Sequence, residues 1–391
     1  MSGAGPRRRL AWTPVLGGSD RVLTAAALAL SGTGLLLVWS ATRASGAPGG
    51  LSGYGGPGGY GSPARQTGAV AAGLVLMWLV SRCDLRVLRA YVPPAYALAL
   101  LALAAVLSPL GTRVNGAHSW LVLAPGVTLQ PSEFAKVALA LALAVPLGEL
   151  REGRRRPGPG AVALALVLAA GPAGLIASQP DVGTMLVFAA MTGGALLASG
   201  APKRWLAALA LGAAGTAVAA WRLGLVRPYQ LRRLLVLADP AADPGGAGYN
   251  AAQARIAIGS GGLLGKGLFH GGQTAGHFVP EQHTDFIFTV AGEELGFAGA
   301  AAILLVVGVL LWRGLSIARR SASPYGAVLA GGVVSWLAFQ TFLNVGMTVG
   351  LAPVVGVPLP FVSYGGSATV AGLLAAGLLQ AAHRTGKAVQ P

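Results

Sequence analysis

Ten apolar stretches of membrane-crossing length decide what this chain can become. They run over about 22–40, 67–82, 90–108, 132–148, 160–178, 181–199, 203–224, 286–312, 325–350 and 366–382. About 20 such residues, wound as a helix, span the hydrocarbon core of a bilayer. Backbone groups in lipid must be satisfied within the segment, which favours helices over open sheets. The expected fold class is therefore all-α: a polytopic membrane protein with about ten transmembrane helices. Charged residues are only 10% of the 391, against about 25% in soluble domains. The net charge of +16 does not point to nucleic acid. Its arginines sit in short clusters between apolar runs, as membrane topology requires. Cys83 is the only cysteine, which excludes an intrachain disulfide and a thiolate metal site. The first apolar run exceeds the roughly 7–15 residues of a signal peptide and reads as an uncleaved helix.

With a cytoplasmic N-terminus, 18 of the 28 lysines and arginines fall on the inner side. Short loops dominate that signal, so both termini are expected in the cytoplasm of a plasma-membrane protein. The chain then reads as one membrane domain over 1–391. Residues 1–21 form a cytoplasmic N-terminus and 383–391 a cytoplasmic tail. Residues 41–66 form a flexible Gly-rich outer loop, and 225–285 a large extracellular loop between helices seven and eight. That long loop holds interleaved apolar residues and an amphipathic stretch at Asn250–Ile258, which favours a folded, membrane-hugging segment.

Acidic residues carry the sharpest pattern. Of the twelve, Asp20, Asp84, Glu149 and Glu152 flank inner ends. Glu133, Asp181, Asp239, Asp243, Glu281, Asp285, Glu293 and Glu294 all map to the outer half. Ionisable groups in or near spans are costly and read as functional candidates. Four outer helix starts are unusual: Gln130-Pro131-Ser132-Glu133, Gln179-Pro180-Asp181, Pro280 to Asp285, and Pro360 to Ser367. Each alone reads as a helix cap. Converging, their free N–H groups would form an anion site, with Arg227, Arg232, Arg233 and Arg255 above it, suited to a phosphate or diphosphate head group. Glu133 and Lys136, three apart on one helix, can pair. Glu293 and Glu294 face different ways, one toward a polar cavity and the other toward an interface or a basic partner. Asp285 enters span eight between water and lipid, where a carboxylate can act as general base or simply cap the helix. His283 is a weaker base candidate. His118, His270 and His277 lack metal-ligand spacing, so no zinc site is expected.

These strings also resemble a known family when read together. Asn115-Gly116-Ala117-His118-Ser119-Trp120, Gln130 to Glu133 with Lys136, Gln179 to Thr184, Ala257 to Gly267, Pro280 to Gly296 and Pro358 to Ser367 are similar, in order, to the motifs of the RodA/FtsW/SpoVE family. The likeness runs from about Asp20 to about Leu379. It implies an inverting peptidoglycan glycosyltransferase that polymerises lipid II, the undecaprenyl-diphosphate-linked disaccharide pentapeptide, outside the plasma membrane. The implied partner is a class B penicillin-binding protein. The resemblance implies Asp285 as the catalytic carboxylate. It implies substrate-binding or sensitive roles for Trp120, Gln130, Ser132, Glu133, Lys136, Gln179, Asp181, Arg233, Lys266, Glu281, His283, Ser363, Gly365 and Ser367. The short tails and the Asn115–Trp120 string are more like the RodA elongation branch than the FtsW division branch. Many members carry a basic residue where Ser119 stands, so no basic contact is expected there. No cofactor or dedicated metal cage is expected, and a loosely bound divalent cation at the diphosphate is compatible with that. The rival readings are a lipid II flippase, a division polymerase, and a scaffold that only positions the penicillin-binding protein.

Overall fold

A computed structural model describes residues 18–43, 61–114, 117–124, 127–149, 156–224, 226–239 and 243–387. Its first elements are α1 (Arg21–Arg43), α2 (Gly61–Ser81), α3 (Leu85–Ala90) and α4 (Val92–Leu107). Three short strands follow: β1 (Gly111–Val114), β2 (Ala117–Ala124) and β3 (Val127–Leu129). Then come α5 (Pro131–Gly148), α6 (Pro159–Ser178), α7 (Val182–Ala198) and α8 (Lys203–Arg222). The long segment forms α9 (Pro228–Ala238), α10 (Ala247–Ser260) and the one-turn α11 (Gly272–Ala275). The chain closes with α12 (Ile287–Glu294), α13 (Gly296–Arg320), α14 (Pro324–Val349) and α15 (Gly366–Lys387). Among the described residues seven helices are long and apolar enough to cross a membrane, and α4 and α7 are shorter but apolar. The chain is a multi-pass membrane protein.

The helices α5 and α14 form the core of the bundle. Almost every residue of α5 is buried, Ala135 to Ala144 without interruption. Alternating Ala and Leu let neighbours approach from all sides, as small residues do in membrane packing. α14 packs on α5 and α7, and α15 lies along α2. The helix α8 differs, having no buried residue.

Span eight departs from the single helix expected over 286–312. It breaks between α12 and α13 at Gly296, whose φ of +67° suits glycine. A break in lipid must have its freed backbone groups satisfied, and the glycine-rich 261–267 segment does this. Phe297 N–H donates to Gly262 O at 2.9 Å and Ala298 N–H to Leu263 O at 3.0 Å. Lys266 and Gly267 N–H donate to the carbonyls of Glu293 and Glu294 at 3.0 Å each. α13 then continues to Arg320, well past the expected end.

Two further departures concern loops. The link between spans three and four holds an antiparallel sheet in the order β1-β2-β3, pairing Thr112 with Trp120 and Leu121 with Leu129. The expected 41–66 linker is shorter at both ends, because α1 reaches Arg43 and α2 starts at Gly61. Its middle, 44–60, lies outside the described residues, as do 1–17, 150–155 and 388–391. Three of the four acids expected at the inner ends are tied down structurally. Asp20 pairs with Arg313, Glu149 pairs with Arg89, and Asp84 caps α3. Glu152 lies outside the described residues.

Candidate active site

The four unusual helix starts do converge. They meet around the irregular segment 351–365 that returns from α14 to α15. At the start of α5, Gln130 N–H donates to Ser367 Oγ at 3.0 Å. The first turn of α7 presses on the same segment at Gly183, where a Cβ would stand 2.7 Å from Val357 Cγ1. Tyr364 N–H donates to His283 O at 2.9 Å, and the two rings lie 5.4 Å apart, tilted by 49°. Ser363 folds the segment on itself. Its Oγ accepts from Leu359 N–H at 2.7 Å, and its own N–H donates back to Leu359 O at 3.0 Å.

Asp285 sits at this junction. It ends a tight turn in which Glu281 O accepts from the N–H groups of Thr284, Asp285 and Phe286. Glu281 itself has a φ of +52°, and its carboxylate accepts from Thr284 Oγ1 at 3.1 Å. Asn344 Nδ2 donates at 2.7 Å to Asp285 O and at 2.7 Å to Val357 O. The Asp285 carboxylate leans on Gly356, where a Cβ would come within 3.1 Å of Oδ2. Gly356 has a φ of +69°, so both space and backbone require glycine. Asp285 is partly accessible, with Gly356 packed against its carboxylate. Burial pushes its carboxyl up to about 7, the charges of Glu281 and Asp181 push the same way, and Arg233 opposes them. Burial also lowers His283; Glu281 opposes that shift and His277 adds to it.

Beneath this cluster lies a buried ion pair. Lys136 Nζ donates to Glu133 Oε1 and to Gln340 Oε1, both at 2.8 Å. Both charged residues are only 2% exposed, so neither is screened by water and each depends on the other. Trp336 Nε1 donates to Gln340 Oε1 at 2.7 Å, and its ring lies 4.9 Å from Lys136 Nζ. Gln340 Nε2 then donates to Pro358 O at 2.8 Å. The pair is thereby tied to the segment that touches Asp285.

The remaining candidates divide. Arg233, on α9, is close enough to Asp285 and Asp181 to act on both by charge. Asp181 caps α7, accepting from Thr184 N–H at 2.9 Å and Thr184 Oγ1 at 2.7 Å. Ser132, at the start of α5, is 1% exposed with no hydrogen-bond partner for Oγ. Gly365 N–H donates to Gln66 Oε1 at 3.1 Å. Gln179 is a structural tie, donating to Leu103 O at 3.0 Å. Trp120 is half-buried on β2, paired with Thr112. Lys266 is engaged elsewhere, 2.7 Å from Glu293 Oε1. Glu293 also accepts from the N–H groups of Gln273 and Thr274 and so staples the 266–274 loop to α12. Glu294 turns the other way and accepts from Ser40 of α1 at 2.5 Å. Among the described residues no group of three or more His, Cys, Asp or Glu is placed to hold a metal ion.

Three amides escaped the sequence reading. Gln66, counted there in the outer linker, is 1% exposed in α2. It donates to Ser363 O at 3.2 Å and Thr369 Oγ1 at 2.9 Å. Gln340 and Asn344 lie one turn apart on an otherwise apolar helix. That is a signal in itself, because a polar side chain in lipid needs a partner.

Comparison with known proteins agrees with this architecture. The family model FTSW_RODA_SPOVE, described as cell cycle protein, matches residues 21–388. The peptidoglycan glycosyltransferase MrdB of Escherichia coli (strain K12) is 38% identical over 381 residues, covering 97% of this chain and 96% of the relative. Among solved structures, a chain of a peptidoglycan synthase complex, described as coordinating polymerization and crosslinking, superposes with a TM-score of 0.75. It is 31% identical over 94% of this chain and 98% of its own length. The rod shape determining protein RodA of Thermus thermophilus superposes at 0.66 with 30% identity, covering 96% of this chain and 99% of that one. With a family model matched over residues 21–388 and a relative 38% identical over nearly the whole chain, the chain belongs to the FtsW/RodA/SpoVE family of cell cycle proteins.

Proposed function

We propose that this chain is a peptidoglycan glycosyltransferase that polymerises lipid II into β-1,4-linked glycan at the outer face of the plasma membrane, for cell elongation and shape. Both termini are cytoplasmic, and α9–α11 with the Asp285 cleft face outward. The observation that carries the reading is Asp285 itself: a partly accessible carboxyl where the helix starts converge, pushed up to about 7, with Arg233 near enough to act on it by charge. A general base works best with a pKa near the ambient pH. Asp285 takes the proton from the GlcNAc 4-hydroxyl as that oxygen bonds to the MurNAc anomeric carbon. The bond from that carbon to the diphosphate oxygen breaks, its electron pair leaves with undecaprenyl diphosphate, and the configuration inverts. Arg233 and the positive ends of the converging helices offset charge on the departing diphosphate. A class B penicillin-binding protein cross-links the product. The similarity to a chain of a peptidoglycan synthase complex supports that partner. No cofactor enters the scheme, and a divalent cation, if used, is held by the diphosphate.

The test supplies lipid II to the purified protein with its cognate class B penicillin-binding protein and resolves the products on a gel. A glycan ladder is expected. Lipid II crossing vesicle membranes with no ladder would replace this reading with a flippase. The same assay predicts a pH dependence. The base must be ionised, so kcat/KM rises with pH through a midpoint near 7 and then levels. Bound diphosphate is anionic and raises the carboxyl further, so the kcat midpoint lies above that of kcat/KM. A profile flat from about pH 5.5 to 8 removes Asp285 as the base.

A further inference from the structure

We infer that Asn344 is a positioning residue that sets the aim of Asp285 by clamping its own irregular segment to the one that carries Val357. The inference rests on the reading of Asp285 as the general base. Asn344 is fully buried on α14, where an amide is costly unless bonded. Both hydrogens of its Nδ2 are committed at 2.7 Å, one to Asp285 O and one to Val357 O. Two carbonyl acceptors fix which end of the amide points at them. Those carbonyls belong to segments without regular structure. One bears the base, and the other presents Gly356, against which its carboxylate leans. The amide therefore spans the gap that the carboxylate must occupy. Gln340, one turn below, holds the next carbonyl, Pro358 O, and is itself held by Lys136 and Trp336. α14 thus acts as a rigid upright with two amide rungs. Its Asn344 Oδ1 has no hydrogen-bond partner, so the two carbonyls are the only groups that anchor this amide among the described residues.

The test measures kcat, KM for lipid II and the pH midpoint in the full-length protein with its penicillin-binding partner. Asn344→Asp keeps the volume but, as a buried carboxyl facing two carbonyls and therefore protonated, offers one O–H where the amide offered two N–H donors. The titratable and charged groups near Asp285 are Glu281 and His283 from its own turn, Asp181 from the start of α7 and Arg233 from α9. One of the two segments is released, and hydration of the loosened Asp285 carboxyl is expected to move the midpoint down. Asn344→Leu suits an apolar helix and keeps the protein folded, but frees the turn. Loss of aim lowers kcat by about 10- to 100-fold with KM within about twofold, and hydration of the loosened carboxyl moves the midpoint down. Thr341→Val is the control, since its hydroxyl bonds only Leu337 O of its own helix, at 2.8 Å. Wild-type midpoints in both Asn344 variants, with losses no larger than for Thr341→Val, overturn the inference. A fall in kcat that tracks loss of folded protein overturns it too. Asp285→Asn runs alongside. If that variant polymerises, the general-base reading itself fails; if it is inactive while the Asn344 variants keep wild-type midpoints, only the positioning role fails.

Discussion

Asp285→Asn leaves the protein folded and assembled with its penicillin-binding partner but yields no glycan ladder. Positioned general bases contribute about 10²- to 10⁴-fold, and the amide cannot accept the hydroxyl proton. Asparagine matches the size of the carboxyl, so the packing against Gly356 and the turn at Glu281 persist. A second readout separates this from damage to the fold. The Asp285 carboxyl stands at about 7 in the folded chain against 3.8 for an unperturbed aspartate. Between those values the folded state holds a proton that the unfolded state has released. Stability attributable to this group is therefore full at low pH and lost as pH rises toward 7. At pH 8 the ionised carboxylate works against the fold, and removing it helps. The variant is expected to melt higher than wild type at pH 8, by at least ~1 kcal/mol of stability, and to match it near pH 4. A catalytic group held against its own stability is the usual trade between activity and fold. An Asp285→Asn protein that melts lower at pH 8 would mean that the carboxylate is structural.

Much of this was legible because lipid imposes few solutions. Hydropathy placed the spans, and the cost of acids near lipid singled out Glu133, Asp181 and Asp285. It could not foresee the break at Gly296, because the apolar run continues across it. Only the packing of the 261–267 loop on the freed backbone of Glu293 and Glu294 makes the break stable. Lys266 became a candidate through the family resemblance of the Ala257 to Gly267 string. Its partner Glu293 is 27 residues away in sequence, a pairing that no local pattern reports. Asp181 carried both readings from the start, and the cap at Thr184 holds it in place while its charge still reaches Asp285. Gln66, Gln340 and Asn344 were passed over for a different reason. Neutral amides add nothing to a charge pattern, yet inside a bundle they face the same demand for partners.

That demand is most severe at the ion pair. Lys136→Met is expected to lose far more than a surface charge would, because Glu133 stays buried with its cation gone. Breaking a buried pair from one side costs about 3–5 kcal/mol, a large part of the stability of an ordinary fold. The single variant should therefore show a lower melting temperature and a poor yield from the membrane. Glu133→Gln combined with Lys136→Met removes the stranded charge and should recover most of that stability. It should not recover polymerisation. Without Lys136, Gln340 Oε1 keeps only Trp336 as donor, and the rung that holds Pro358 O loosens beside the cleft. Thermal melts and ladder assays on the three variants, with Glu133→Gln as the third, separate the two effects. A double variant as unstable as Lys136→Met would mean that volume rather than charge is what the site requires. A double variant that polymerises at the wild-type rate would show that the ion pair serves the fold and leaves the aim of Asp285 to α14 alone.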